Sequence, residues 1–122
     1  VSTTGPGAEA ALIEAITNLW RARRKLDAAG ESGDPTQRQI ARHLAAAADA
    51  LARAGWSVQD HDGARFDPGL ALEVIAYEPR PGVDSETVVE TVRPCVYSDG
   101  RRVQIGQVIV AKPEKSRRRR GG

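Results

Sequence analysis

From Leu12 onward, apolar side chains recur at alternating intervals of four and three residues. Leu12, Ile16, Leu19 and Leu26 share one seam, interrupted by Arg23 and flanked by Ile13 and Trp20. This spacing gathers a single stripe on a helix and predicts one from about Ala8 to Ala29. The stretch "GESGDP" then breaks the pattern. A second seam follows at Ile40, Leu44, Ala47, Leu51 and Ala54, with Arg38, Arg42, Asp49 and Arg53 opposite. Its boundaries are written in the residues: Asp34 as N-cap, Pro35 at the first helical position, Gln37 where a capping box would place it, and Gly55 as the closing cap. Two narrow apolar seams enclose little interior, so a helical hairpin of this kind calls for partner helices. A second copy, completing a four-helix bundle, would supply them.

Beyond Trp56 the period changes. "SVQDHDGARFDPG" is turn-rich, and strand-like runs follow at Leu70 to Glu78, Glu86 to Arg93, Cys95 to Ser98, Arg101 to Ile105 and Gln107 to Lys112. Asp99-Gly100 between two of these runs predicts a type I′ hairpin turn. With no helical stretch between strands, a small antiparallel β-domain is expected rather than βαβ units. The resulting reading is an α+β chain. It has a disordered start at 1–7, a helical hairpin for dimerisation at 8–56, a small β-domain at 57–112 and a basic disordered tail at 113–122.

Charge adds one feature to this picture. Net charge is +2, yet from Lys112 onward there are six Lys/Arg and one acid, whereas the preceding residues hold 12 Lys/Arg and 15 Asp/Glu. The body is mildly acidic, which argues against a nucleic-acid-binding domain. The run Arg117 to Arg120 would attract polyanions only non-specifically, and such tails also serve for solubility alone. The single cysteine, Cys95, excludes an intrachain disulfide within these 122 residues and fits a reducing compartment such as the cytoplasm. No apolar run approaches the roughly 20 residues a membrane span needs, and "VSTTGPGAEA" does not read as a signal peptide.

Candidate chemistry is sparse. Asp60-His61-Asp62 is the one cluster resembling a metal or acid–base site, but the other histidine, His43, lies on a helix beside Arg42. A solvated polar loop is the simpler reading. Ser57, Ser85 and Ser98 lack a nucleophile-elbow context, and Cys95 sits in a strand with no histidine near it in sequence. No phosphate loop or dinucleotide fingerprint occurs. Enzyme, metal and cofactor readings therefore find no support. The hairpin arginines, Arg101 and Arg102, alternate across their strand. Strand physics leaves two roles open for them, protection of a sheet edge or contact with a partner.

Four motifs in order resemble the GrpE family, the nucleotide exchange factors of the DnaK heat-shock chaperone. "NLWRA" (18–22) is similar to the family's Asn-Leu-x-Arg-Ala, "LARAGW" (51–56) to its Leu-x-x-x-Gly-Val, and "GARFDP" (63–68) to its Gly-x-x-Phe-Asp-Pro. The closing "TVVETVRPCVYSDGRRVQIGQVIVAK" can be laid on its Thr-Val-Val-Glu…Asn-Gly-Arg…Val-x-Val pattern. The likeness runs from about Leu12 to Lys112. Ala71 stands where the family usually has His, Cys95-Val96 where it has Gly-Tyr, and Gln104-Ile105-Gly106 where it has Arg-Pro-Ala. Family members carry a long paired helix ahead of this point, where only seven residues stand here, so the resemblance is to a short, divergent member.

The resemblance implies a stress-response co-chaperone in the cytoplasm, without catalytic residues, metal or cofactor. It would dock its β-domain on the ATPase domain of a DnaK-type chaperone and promote ADP release. It implies contact through Arg101 first and Val110 second, with Gly100, Gln107 and Val108 beside them. Phe66 and Pro68 are read as setting the joint between helices and sheet. Leu12, Ile16, Leu19, Leu44 and Leu51 would form the core of a homodimeric bundle. The alternative is an adaptor without exchange activity, or a polyanion-binding module, acting through Arg117 to Arg120.

Overall fold

The computed structural model describes residues 6–30 and 34–114. The fold is α+β, with an N-terminal helical hairpin followed by six short strands. Helix α1 spans Pro6–Ala29 and packs against helix α2, Pro35–Arg53. The signals that predict α2 work as their chemistry requires. Asp34 is its N-cap, and the Asp34 Oδ1 accepts the Thr36 N–H at 2.9 Å, while Pro35 occupies the first turn. At the other end Ala54 caps the helix, and Gly55 follows at φ 94°, the left-handed conformation glycine adopts without a Cβ penalty.

The strands are β1 (Trp56–Gln59), β2 (Glu73–Arg80), β3 (Thr87–Arg93), β4 (Cys95–Ser98), β5 (Arg101–Gln104) and β6 (Gln107–Pro113). They form two three-stranded sheets, ordered β1-β4-β5 and β2-β6-β3. In the second sheet, β6 runs antiparallel to β3 but parallel to β2, so not every pairing is the antiparallel one expected. The connection from β2 through β3, β4 and β5 to β6 is long enough to allow the parallel pair without a helix between. The stretch after Trp56, expected to be turns, begins with β1 and includes a single 3-10 turn at Pro68–Leu70. Asp67 Oδ1 caps that turn by accepting the Gly69 N–H at 3.0 Å.

The chain gathers into two compact units that are discontinuous in sequence. One comprises residues up to Val58 with Val96–Gln104, and the other Gln59–Cys95 with the residues from Ile105 on. In the first unit, Thr17 on α1 is buried, and its Oγ1 meets the Gln104 Nε2 at 3.1 Å, which satisfies a polar group out of reach of water. In the second, Val88, Val108 and Val110 form a fully buried cluster against which Phe66, Leu72 and Val74 pack. Phe66 thus belongs to this core.

The cluster corrects one expectation. Val108 and Val110, read as contact residues on an exposed ribbon, are 0% exposed. The reason is topological: β6 is the middle strand, with Val74 and Tyr77 of β2 on one side and Thr91 and Val88 of β3 on the other. Phe66, Leu72 and Val74 pack against the cluster these valines form with Val88, so the two side chains have no surface to dock with. Cys95 is buried too, its Sγ accepting the Gly106 N–H at 3.2 Å.

Candidate functional site: an arginine hairpin

The turn between β4 and β5 is the two-residue loop that Asp99-Gly100 predicts. Ser98 pairs with Arg101, and both turn residues have positive φ, 50° at Asp99 and 81° at Gly100, the signature of a type I′ turn. Arg101 follows directly. Its side chain is 70% exposed, and its Nη2 lies 3.9 Å from the Glu9 Oε2 of α1, at the limit of an ion pair. A pair so long and so solvated contributes about 0–1 kcal/mol and holds the guanidinium only loosely. The arrangement is a planar, permanently charged donor fork at the root of a tight turn, open to a carboxylate from outside. Arg102 is exposed as well.

The turn itself is held from beneath. Asp99 N–H donates to the Gly55 carbonyl at 2.7 Å. The Asp99 carboxylate lies so close over Gly55 that a Cβ there would overlap Oδ1. The hairpin is thereby attached to the residue that follows the C-cap of α2.

The remaining expected contact residues divide between the turn and β6. Gly100 is exposed at the turn. Gln107, half-buried at the start of β6, donates through Nε2 to the Glu73 Oε1 at 3.0 Å. Of the expected bundle residues, Ile16 is buried, while Leu12, Leu19, Leu44 and Leu51 are half-buried. No residue of α2 is buried, and Ile40 is exposed. A groove of about 380 Å³ opens in this unit, walled by Ile16, Leu19, Trp20, Leu51, Trp56 and Val58. The Arg24 guanidinium stacks on Trp20, 4.6 Å from the ring centre.

Sequence reasoning missed a second surface. Ile75, Tyr77 and Ile105 of the second unit are exposed, two of them on β2, an edge strand of its sheet. Lys112 places its ammonium 5.8 Å from the Tyr77 ring. Charge and proline on the same strand limit its use as an open edge: Arg80 pairs with Glu78 at 2.7 Å and Pro79 lies between them. No motif marks these apolar residues as exposed, since β2 reads as an ordinary half-buried run.

Asp60-His61-Asp62 is the expected polar loop, with Asp60 and Asp62 exposed and His61 half-buried, and it is also clasped to β3. His61 N–H donates to the Thr91 Oγ1 at 3.0 Å, and Thr91 N–H donates to the Asp62 Oδ1 at 2.7 Å. Both bonds tie the segment to β3 and satisfy the hydroxyl and N–H of Thr91, which is buried. Among the described residues no three His, Cys, Asp or Glu side chains are grouped as a metal ion would need, and no helix is long and apolar enough to cross a membrane. Arg117 to Arg120 and the first five residues lie outside the described residues. No protein-family model matches the chain, and a search of curated proteins finds no match.

Proposed function

We propose that the protein is a cytoplasmic nucleotide exchange factor of the GrpE type, which binds the ATPase domain of a DnaK-type chaperone and promotes release of ADP. The observation that carries this reading is the hairpin: an exposed arginine on a rigid I′ turn, in a chain whose four motifs follow the family's order. The reading requires no bond chemistry. The factor acts as a ligand that prefers the chaperone's opened nucleotide cleft, and that preference shifts the population toward the open state. Reversing a 99:1 closed preference takes about 5.5 kcal/mol of differential binding. A stiff projection suits the task, since little of its contact energy is lost to ordering on binding. Arg101 is the principal contact, and Val108 and Val110, buried in the core of the second unit, do not touch the partner.

Linkage makes the reading measurable. ADP and the factor must weaken each other's binding by the same factor, so titration into the ADP-loaded ATPase domain is expected to show lower affinity than titration into the nucleotide-free domain. Equal affinities contradict the reading. The rival, an adaptor or polyanion binder acting through Arg117 to Arg120, is separated by deleting residues 114–122. Binding that survives the deletion supports docking through the body. Binding that vanishes, with steep salt dependence in the full chain, supports the tail.

The same reading includes a homodimer. The half-covered seams of α1 and α2, with Ile40 exposed, leave apolar surface that a second helical hairpin would cover. Sedimentation equilibrium is expected to give twice the chain mass for the wild-type protein and a monomer for Leu44→Glu. A wild-type monomer at micromolar concentration contradicts the dimer.

A further inference from the structure

We infer that Gly55 and Asp99 are positioning residues that set the direction of Arg101, so that the end of α2 governs the docking hairpin. The inference rests on the docking role proposed above and adds to it a device within the first unit. Three observations carry it. The Asp99 N–H donates to the Gly55 carbonyl at 2.7 Å, which fixes the first turn residue to the glycine just beyond the cap of α2. The Asp99 carboxylate occupies the space a side chain at Gly55 would need, so the two residues are fitted to each other. At the far end of β5, Gln104 Nε2 donates to the Thr17 Oγ1 of α1 at 3.1 Å.

Strand β5 is therefore tied at both ends, by Asp99 to the end of α2 and by Gln104 to the middle of α1. Arg101 lies two residues after the first tie and three before the second. Its Cα has little freedom left, whereas its side chain stays open, restrained among the described residues only by the 3.9 Å approach of Glu9. Gly55 is suited to its place on two counts. Its φ of 94° is strained for any residue with a Cβ, and that Cβ would displace the Asp99 carboxylate. Asp99 at φ 50° tolerates the left-handed region as aspartate can.

The test is a set of variants titrated against a DnaK-type ATPase domain, each first checked by far-UV circular dichroism and thermal melting. Gly55→Ala is expected to weaken binding about tenfold, within the range for residues that act through a coupled neighbour. In an Arg101→Ala background the same change is expected to have almost no further effect, because its action passes through Arg101. The double variant Gly55→Ala with Asp99→Gly, which clears the carboxylate and keeps the turn's positive φ but leaves the φ strain at position 55, is expected to recover part of the lost affinity. A structural defect at the helix cap would produce neither result. Undiminished loss in the Arg101→Ala background, or no recovery in the double variant, overturns the inference. Amide hydrogen exchange at Asp99 provides a reading independent of the partner: slow in the wild type and faster in Gly55→Ala. Should the wild-type protein fail to bind the ATPase domain, the docking role falls, and equal exchange in the two proteins would remove the lock as well.

Discussion

Val110→Asp is expected to unfold the β2-β6-β3 sheet rather than to weaken a contact with a partner. Val110 is fully buried in the cluster with Val88 and Val108, between Tyr77 of β2 and Val88 of β3. A carboxylate there loses its hydration and gains no counter-ion, which costs several kcal/mol. Domain stability as a whole is only about 5–15 kcal/mol. A loss of about 4 kcal/mol or more would move the urea midpoint sharply down or leave no cooperative transition. Val110→Ala, which removes two methyl groups, is expected to cost about 1.5–3 kcal/mol. Denaturation followed by circular dichroism distinguishes the outcomes. An unchanged midpoint combined with lost partner binding would return Val110 to the surface.

Arg101→Ala has the opposite signature. The residue is 70% exposed and its approach to Glu9 is 3.9 Å, so removing it should leave the unfolding midpoint within about 0.5 kcal/mol of wild type. Affinity for the ATPase domain is expected to fall by about 1–3 kcal/mol, or roughly 5–150-fold, as for a charged anchor desolvated at an interface. Arg101→Lys should keep only part of that affinity, since an ammonium cannot reproduce a bidentate fork. Titration calorimetry on the three proteins checks the order wild type, lysine, alanine. Unchanged affinity in the alanine variant would take Arg101 out of the interface.

What the residues reveal of this fold follows the range over which their physics acts. The start of α2 is legible because Asp34 and Pro35 act on the backbone within two residues. The β4–β5 turn is legible because Asp99-Gly100 alone selects positive φ at both positions. Strand β1 is missed because Ser57 and Gln59 interrupt any apolar run, and pairing with β4, some forty residues on, decides its state. The burial of Val108 and Val110 is missed for the same reason. Nothing in "QVIVAKP" states that β6 lies between β2 and β3, and an edge strand would carry similar residues. The hairpin arginine was visible, but its support was not: the carboxylate of Asp99 meets Gly55 across forty-odd residues of chain. The exposed Ile75, Tyr77 and Ile105 likewise follow from which face of a sheet is left uncovered, a property of the assembled strands.

The central claim is that a stiff arginine hairpin acts on a partner's conformational equilibrium. Stopped-flow release of a fluorescent ADP analogue from a DnaK-type ATPase domain measures it most directly. Release is predicted to accelerate with increasing protein concentration and to saturate, with Arg101→Ala shifting the curve to higher concentration. A release rate that is the same with and without the protein, at concentrations where the two bind, would contradict the account.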